Sequence, residues 1–348
     1  MYREVIKKLP DAQFTMFGPS DFPVSNWFEY SSNLIHVATT IPSDGRINKA
    51  LKNHCYWPRA LRTNQFDIIE RFNLPIIPHK GALHLVTTHD IRQVSCGNSI
   101  SRSLYHKYIK RSLESATKVI TVSKAMRDEI LHHFPNLSVS VVYNGFNRLT
   151  FDGPSHDELT RFQSSYCLPT QYLLSIGHFE ERKNYVRLID AMRILHSKGV
   201  DIPLVIVGND SGTKSRVQER VTALGLNGKV WLLSGLSDRD VQCAYSLCKA
   251  FVFPSSYEGF GIPILEAMAA DRAQILSDIP VFREITENQG VFFPHGDPGA
   301  MAHAIEQVVC GSDEEKRLVA YGKTRLAAFS FNKLADEIVD IYRQLYSH

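Results

Sequence analysis

The sequence predicts an α/β protein made of two doubly wound domains that face each other across a cleft. Its 348 residues exceed the size of one ordinary hydrophobic core, which favours two domains. Short apolar runs alternate with helical patterns almost throughout, as they do in parallel βαβ units. These runs are nearly continuous in apolar residues, which is typical of strands in a sheet that helices cover on both faces.

The first domain is predicted over residues 1–152. The chain opens on a helix, "MYREVIKKL", and further helices are predicted at "SRSLYHKYIKRSLESA" and from Lys124. The strand candidates, in chain order, are "AQFTMFG", "NLIHVATT", "FDIIERF", "ALHLVTTHD", "KVITVS" and "SVSVVYNGF".

The second domain is predicted over residues 153–331, after a turn-rich stretch with Gly153 and Pro154 at its centre. Its strand candidates are "YLLSIG", "PLVIVG", "VWLLSG", "AFVFPS", "AQILSD" and "GVFFP", with helices between them. The last helix, 332–348, has apolar residues at spacings of three and four and must pack on a core. It packs either on its own domain or back on the first domain.

Composition excludes several classes of protein. Net charge is only +3, so no nucleic-acid partner is expected on electrostatic grounds, and no apolar run reaches the ~20 residues of a membrane-spanning helix. The first residues lack the apolar core of a signal peptide. The six cysteines form no CxxC pair, which favours reduced thiols in a cytoplasmic protein.

The stretch "SSYEGFGIPILEAMAA" has the features of an anion site at a helix start. Gly259 and Gly261 allow close approach of a ligand to the backbone, and Pro263 suits the first turn of a helix. The free amides and the positive end of the helix dipole then face the ligand. Glu266 can accept hydrogen bonds from paired hydroxyls such as those of a ribose, and Glu258 can bind another part of the same ligand. The alternative is a solvated Glu258 and a Glu266 that caps its own helix.

A second stretch, "SIGHFEERKNYVRLIDAM", leaves a strand at Gly177 and opens a helix near Asn184. Arg182 and Lys183 stand together at this helix start, where cations are unfavourable unless an anion lies between them. A diphosphate would supply that anion, with the guanidinium binding it in bidentate fashion. Two solvated surface cations are the alternative.

With these motifs, the second domain resembles the retaining glycosyltransferases of family 4, which have the GT-B fold of two Rossmann-like domains. The resemblance rests on "IGHFEERKN", "VIVG", "LLSGLSDRDV", "AFVFPSSYEGFGIPILEAMA" and "SDIPVFREI" followed by "FFPHGDP". Within the family, these motifs are most similar to those of bacterial mannosyltransferases that build O-antigen and other surface polysaccharides.

The resemblance implies a role for each matching residue. Arg182 and Lys183 would neutralise the diphosphate of a nucleotide-sugar donor, and Glu258 would bind the sugar hydroxyls. In the first domain, His89 would lie near the reacting centre, and Asn144 with Gly145 would end the last strand before the linker. The remaining donor-binding residues are Gly177, the loop Gly259, Phe260, Gly261 and Ile262, and the ribose-binding Glu266.

The reaction implied is transfer of a hexose to a hydroxyl with retention of anomeric configuration, without a metal or other cofactor. The resemblance implies GDP-mannose as the donor, and UDP-sugars are the second choice. The acceptor it implies is an oligosaccharide or a lipid-linked surface polysaccharide. Five basic residues on or beside the helix "SRSLYHKYIKRSLESATK" could also meet anionic lipid head groups at the inner face of the plasma membrane: Arg102, Lys107, Lys110, Arg111 and Lys118. Two other classes stay open, a catalytically impaired scaffold that binds nucleotide sugars and a two-lobed binding protein.

The sequence departs from the family pattern at three places. Family members begin with a strand and a glycine-rich loop, whereas Met1 stands directly at a helix, which indicates either a start assigned too late or a truncated domain. Asp271 and Ala273 stand where the family has glycine and proline, and Asp271 must then take a left-handed conformation. The segment 41–81 matches loosely, and the acceptor specificity that the resemblance assigns to it is left without a prediction.

Overall fold

The computed structural model describes residues 1–19, 21, 31–43, 46–61, 65–72, 81–95, 99–147 and 151–347. The chain divides into two compact units. Met1–Gly145 and Ser330–His348 form the first unit, and Phe146–Phe329 form the second. The last helix therefore belongs to the first unit, the second of the two placements that its apolar spacing left open.

In the ranges of the first unit that the structure describes, six strands alternate with helices. Its strands are β1 (Phe14–Gly18), β2 (Leu34–Ala38), β3 (Ile68–Phe72), β4 (Leu83–Thr88), β5 (Lys118–Thr121) and β6 (Val139–Val141). Its helices are α1 (Tyr2–Lys8), α2 (Arg46–Ala60), α3 (Arg92–Ser95), α4 (Ser99–Glu114), α5 (Lys124–His133) and, at the end of the chain, α14 (Phe331–Tyr346). All six strands coincide with the apolar runs that predict them.

The strands of the first unit form two parallel sheets. One sheet has the order β1-β2, and the other has the order β3-β4-β5-β6. In the described part of the chain β1 pairs only with β2, and β3 pairs only with β4. β1 and β3 are therefore both edge strands there.

A buried carboxylate joins α14 to the rest of the first unit. Glu70 on β3 accepts hydrogen bonds from the hydroxyls of Tyr2 (2.5 Å), Thr87 (2.8 Å) and Tyr342 (2.5 Å). These residues lie on α1, β4 and α14. Burial raises the pKa of Glu70, and the three hydroxyl donors act against that rise. The apolar face of α14 packs beside them, with Leu334 and Ile338 buried against Val5 and Leu85.

The second unit is one six-stranded parallel sheet with helices around it. Its strands are β7 (Leu173–Ile176), β8 (Leu204–Val207), β9 (Val230–Leu233), β10 (Ala250–Phe253), β11 (Ala273–Ser277) and β12 (Val291–Phe293). Its helices are α6 (His156–Ser165), α7 (Tyr185–Ser197), α8 (Lys214–Ala223), α9 (Asp238–Leu247), α10 (Ile262–Ala269), α11 (Pro280–Ile285), α12 (Pro298–Cys310) and α13 (Ser312–Arg325). The strand order is β12-β11-β10-β7-β8-β9, which is the Rossmann order.

The helix α6 replaces part of the loop that the sequence predicts around Gly153. Ser155 caps this helix, because its hydroxyl accepts from the amide of Glu158 and the carboxylate of Glu158 accepts from the amide of Ser155. This reciprocal capping box starts a helix two residues after the Gly153–Pro154 turn.

The C-terminus of α10 shows how the chain manages without the expected glycine. Asp271 has a φ of +59° and is left-handed, as the sequence predicts. The amide of Asp271 donates to the carbonyl of Met268, and the amide of Arg272 donates to that of Ala267, so the helix ends in a Schellman motif. The Asp271 carboxylate also pairs with Lys323 at 3.1 Å.

Among the helices of the described residues, none combines the length and the apolar composition that crossing a bilayer requires.

Candidate functional site

The candidate site lies where the strand order of the second unit reverses. β7 and β10 are neighbours in the sheet, with Ala250 opposite Leu173, and their connections leave in opposite directions along it. In a sheet of this kind ligands bind outside the carboxyl ends of the two strands at the reversal. The loops after β7 and β10 carry the two stretches that the sequence predicts as an anion site.

Gly177, directly after β7, is required by the packing of Lys183. Its φ is +149°, a value that side chains rarely adopt. A Cβ at this position would lie 2.6 Å from Cε and 2.8 Å from Nζ of Lys183. The missing side chain is thus the space that the lysine occupies.

Arg182 and Lys183 lie in a tight turn that Asn184 closes. The turn spans Glu181–Lys183, and Asn184 follows it in the left-handed conformation with a φ of +59°. The Asn184 amide nitrogen donates to the carbonyl of Pro254 (3.2 Å) after β10 and to that of His295 (2.6 Å) after β12. The Asn184 side chain therefore ties the loop of β7 to the ends of two other strands, β10 and β12. The sequence predicts a helix start here but gives no sign of these two hydrogen bonds.

Four charged side chains form one connected cluster at the site. Glu258 Oε1 accepts from Lys183 Nζ at 2.7 Å and lies 2.5 Å from a terminal nitrogen of Arg182. Arg182 Nε donates to Glu180 at 2.8 Å. The lysine is 5% exposed, and its ammonium lies 4.6 Å from the centre of the Phe253 ring. The cluster therefore holds two positive and two negative groups.

Burial and pairing act differently on the two cations. Burial lowers the pKa of Lys183, although Glu258 acts against that shift. Burial also opposes the charge of Arg182, but attraction from Glu258 and Glu180 outweighs it and raises the pKa of the guanidinium. Arg182 thus remains a full charge, and Glu258 favours the protonated form of Lys183 against the cost of its burial.

The loop after β10 continues into α10 as the anion-site prediction requires. Gly261 precedes the helix with a φ of +132°, and Pro263 lies in the first turn. A Cβ on Gly261 would lie 3.2 Å from Ile264 and 3.3 Å from Phe282, so the loop is closely packed as well. Phe260 is buried with its ring edge-on to Phe329 rather than exposed to a ligand. The contribution of Gly259, Phe260, Gly261 and Ile262 would thus come from their backbone.

Glu266 is the fifth residue of α10, one turn further along than the sequence predicts. Its Oε2 accepts a hydrogen bond of 2.9 Å from the hydroxyl of Tyr245 on α9. Burial raises the pKa of Glu266, and the hydrogen bond from Tyr245 acts against that rise. Sequence reasoning missed Tyr245, because it reads as one more apolar residue of a buried helix.

The first unit carries the remaining candidates. His89 directly follows β4, as predicted, and the residue is exposed. Partial desolvation of its ring lowers its pKa, and the attraction of Asp90 acts against that shift. Asn144 follows β6, and Gly145 lies against the ring of Phe331, where a Cβ would come within 2.0 Å of the ring carbons. The structure thus brings Gly177, Arg182, Lys183 and Glu258 into contact in the second unit, and places His89 in the other unit.

The basic helix predicted for membrane contact is α4. Its Ile109 and Leu113 are buried, while Lys107, Lys110 and Arg111 are exposed on the other face. Lys118 begins β5, and the side chain of Arg102 lies outside the described part of the helix. The helix therefore presents a basic surface of at least three side chains.

Comparison with known proteins matches both halves of the chain to glycosyltransferase families. Residues 156–325 match the family described as glycosyl transferases group 1, and residues 14–148 match the one described as Glycosyltransferase Family 4. The O-antigen chain mannosyltransferase RfbU of Salmonella typhimurium is 30% identical over 226 residues, which are 64% of this chain and 60% of that protein. O-antigen chain mannosyltransferase B of Escherichia coli is 27% identical over 282 residues, which are 77% of this chain and 72% of that protein.

Solved structures share the fold over nearly the whole chain. Sucrose-phosphate synthase of Thermosynechococcus elongatus has a TM-score of 0.77 at 19% identity, covering 99% of this chain and 92% of that one. Anabaena HepE, solved with UDP and glucose, has a TM-score of 0.73 at 16% identity, covering 98% and 94%.

The parallel sheets of the two units have the GT-B fold that these solved structures share. The two family matches together take in most of both units. Both models describe glycosyltransferases, so the chain belongs to that class of proteins, and the curated relatives that it matches include O-antigen mannosyltransferases.

Proposed function

We propose that this protein transfers mannose from GDP-mannose to a hydroxyl of a growing, lipid-linked surface polysaccharide, with retention of anomeric configuration. The observation that supports it most is the cluster of Arg182, Lys183 and Glu258 at the strand reversal, where a nucleotide diphosphate would bind. The sugar and the acceptor class rest on the two relatives named as O-antigen mannosyltransferases.

The cluster suits a reaction in which a diphosphate leaves. The bond from C1 of the sugar to the diphosphate oxygen breaks with its electron pair on that oxygen, and the acceptor oxygen bonds to C1 on the same face. The acceptor proton passes to the leaving phosphate. Arg182 and Lys183 would stabilise the charge that develops on the diphosphate, and removal of one such preorganised donor in an enzyme typically costs ~3–4 kcal/mol of barrier.

Glu258 would exchange partners when the donor binds. Without a ligand its carboxylate balances the two cations. A diphosphate would take over that role and free Glu258 to accept hydrogen bonds from the sugar hydroxyls. Transfer without a divalent metal follows from this scheme, because the two cations supply the positive charge that a metal would otherwise bring.

Peripheral membrane contact at the cytoplasmic face completes the proposal. The exposed Lys107, Lys110 and Arg111 of α4 would each contribute ~1 kcal/mol to binding of an anionic surface. Sedimentation with vesicles of anionic and of neutral lipid tests this. We expect the protein to sediment with anionic vesicles only, and to stay in the supernatant when these three residues are changed to glutamine. Equal sedimentation with both kinds of vesicle would contradict membrane contact through charge.

The donor site is tested by thermal-shift titration with GDP, UDP and ADP, each with and without EDTA. Stabilisation by GDP at 100 times its dissociation constant would reach about 2.7 kcal/mol and should survive EDTA. Stabilisation by UDP instead would assign a UDP-sugar donor, and loss of the shift with EDTA would contradict metal independence. No shift with any nucleotide would refute the donor site.

Transfer itself is measured with GDP-mannose and a polyprenyl-linked acceptor oligosaccharide, with Glu258→Ala as the inactive control. Nucleotide binding without transfer to any acceptor would favour the scaffold alternative.

A further inference from the structure

The hydroxyl of Tyr245 connects the end of α9 to the start of α10. It lies 2.9 Å from Glu266 Oε2 and 3.2 Å from the carbonyl oxygen of Pro263. Tyr245 is fully buried, and its ring packs on Phe151 and Phe251 at centroid distances of 5.8 and 5.5 Å. The hydroxyl therefore has a fixed position and no access to bulk water.

One hydroxyl proton faces two acceptors, so the charge state of Glu266 decides where it goes. With Glu266 ionised, the proton belongs to Oε2, because the charge-assisted bond is stronger and the distance is shorter. With Glu266 protonated, the carboxyl donates to the phenol oxygen and the phenol donates to Pro263. Tyr245 thus satisfies one carboxylate oxygen while Glu266 carries its charge.

Glu266 is half-buried, and in the described chain only its Oε2, not Oε1, accepts a hydrogen bond. A carboxylate with one oxygen anchored inside the protein and the other open is preorganised to accept from a ligand hydroxyl. A carboxylate that is already fixed loses little conformational freedom when it binds a ligand. The hydrogen bond from Tyr245 therefore increases the affinity for that ligand.

We propose that Tyr245 is a positioning residue that holds Glu266 ready for the ribose hydroxyls of the nucleotide, and so sets the preference for ribose over deoxyribose nucleotides. This proposal rests on the proposed nucleotide-sugar function, since it concerns the same donor. It assigns to α9 a part in a site otherwise formed by the loops after β7 and β10.

The groups that act on Glu266 fix the expected pH dependence. Burial raises its pKa, the Tyr245 hydroxyl lowers it, and the negative charge of Asp238 raises it. Removing the hydroxyl therefore raises the pKa of Glu266 further. Binding that needs the ionised carboxylate is then lost at a higher pH in the variant than in the wild type as the pH falls.

The test measures dissociation constants of the full chain for GDP and for 2′,3′-dideoxy-GDP between pH 5 and pH 9. The variants are Tyr245→Phe, Glu266→Gln and the double variant. Tyr172→Phe is the matched control, because Tyr172 is also fully buried and donates at 3.0 Å to the carbonyl of Ala244 on α9, away from Glu266.

In the wild type the ribose nucleotide should bind at least about tenfold more tightly, the value of one hydrogen bond to a charged group. Tyr245→Phe should reduce this ratio severalfold near neutral pH and recover it at high pH, with the midpoint of the profile shifted upward. In the Glu266→Gln background it should change the ratio no further. Tyr172→Phe should leave the ratio and the profile as in the wild type.

The outcomes separate the two proposals. A wild type that binds neither nucleotide refutes the nucleotide site itself. A wild type that prefers the ribose nucleotide, with a Tyr245→Phe variant that keeps both the ratio and the pH midpoint, refutes the positioning role alone. A ratio lost equally in Tyr172→Phe would reduce Tyr245 to a packing residue.

Discussion

The exchange of partners at Glu258 makes a prediction that separates its structural role from its role toward a ligand. Replacing Glu258 by glutamine removes the charge that Lys183 and Arg182 share, at contacts of 2.7 and 2.5 Å. Loss of one partner of a buried ion pair costs ~3–5 kcal/mol. The glutamine oxygen can still accept from Lys183, so we expect a loss of about 2–3 kcal/mol in the free energy of unfolding. For a unit of this size that is a fall in Tm of about 4–12 °C.

The pH dependence of this deficit has a defined sign. Burial already lowers the pKa of Lys183, and loss of Glu258 lowers it further. Between the lowered pKa of Lys183 in the folded state and the ordinary lysine value of 10.5, the unfolded state then binds more protons than the folded state, so stability rises with pH in that range. The difference between variant and wild type should therefore shrink between pH 7 and pH 9.5.

Affinity for a sugar-free diphosphate should change in the opposite direction. In Glu258→Gln the diphosphate no longer has to displace the Glu258 carboxylate from Arg182 and Lys183. GDP should therefore bind about tenfold more tightly, while sugar transfer is lost. Urea unfolding with and without GDP measures both quantities.

Glu180→Gln is the matched control, because it removes the same charge from Arg182 at a more exposed contact and leaves the bond between Lys183 and Glu258 intact. Its stability should fall by no more than ~1 kcal/mol. Wild-type stability in Glu258→Gln, or weaker GDP binding than in the wild type, would refute the exchange of partners.

Three further predictions concern Gly177, Asp271 and Glu70. Gly177→Ala should cost about 1–3 kcal/mol in unfolding free energy and weaken GDP binding, because the new methyl group displaces Lys183. Gly153→Ala is the control and should do neither, since the space around Gly153 is open. Equal effects of the two substitutions would contradict the packing argument. Asp271→Gly should be more stable than Asp271→Ala by about 1 kcal/mol in urea unfolding, since only glycine is free of strain at a φ of +59°, and a reversed order would contradict this. Burial raises the pKa of Glu70 above 4.5, so its contribution to stability is complete below pH 4.5 and is lost as the pH rises through the folded-state pKa. Glu70→Gln should remove this dependence of the unfolding free energy on pH. An unchanged dependence would assign it to other groups.

The strands were predictable from the sequence because their apolar runs are short and bounded by glycine, proline or polar residues. Ser155 and Glu158 also encode the start of α6, but the preceding Gly153–Pro154 pair is the stronger local signal and predicts a turn. The helix α2 lies in the segment that the sequence left without a prediction. Its interior Pro58 and neighbouring aromatic residues are poor local signals for a helix, so its formation depends on tertiary packing.

The types of site residue were predictable, but their partners were not. A pair of cations at a helix start predicts an anion between them, and the nearest anion in the structure is Glu258, 75 positions from Lys183 along the chain. Asn184 and Tyr245 act through an amide and a hydroxyl toward groups on other strands and helices. Local spacing holds no information on such contacts, because they exist only once the sheet has its order.

The order of strands therefore decides both where the site forms and how it works. β8 and β9 extend the sheet on one side of β7, and the chain then returns to place β10 on the other side, so that the loops after β7 and β10 meet. One loop supplies the cations and the other supplies Glu258. Since the cluster is neutral without a ligand, a bare positive patch does not account for binding of a diphosphate. Binding requires replacement of one anion by another, and a ligand that brings both a diphosphate and sugar hydroxyls satisfies the cations and the released carboxylate together.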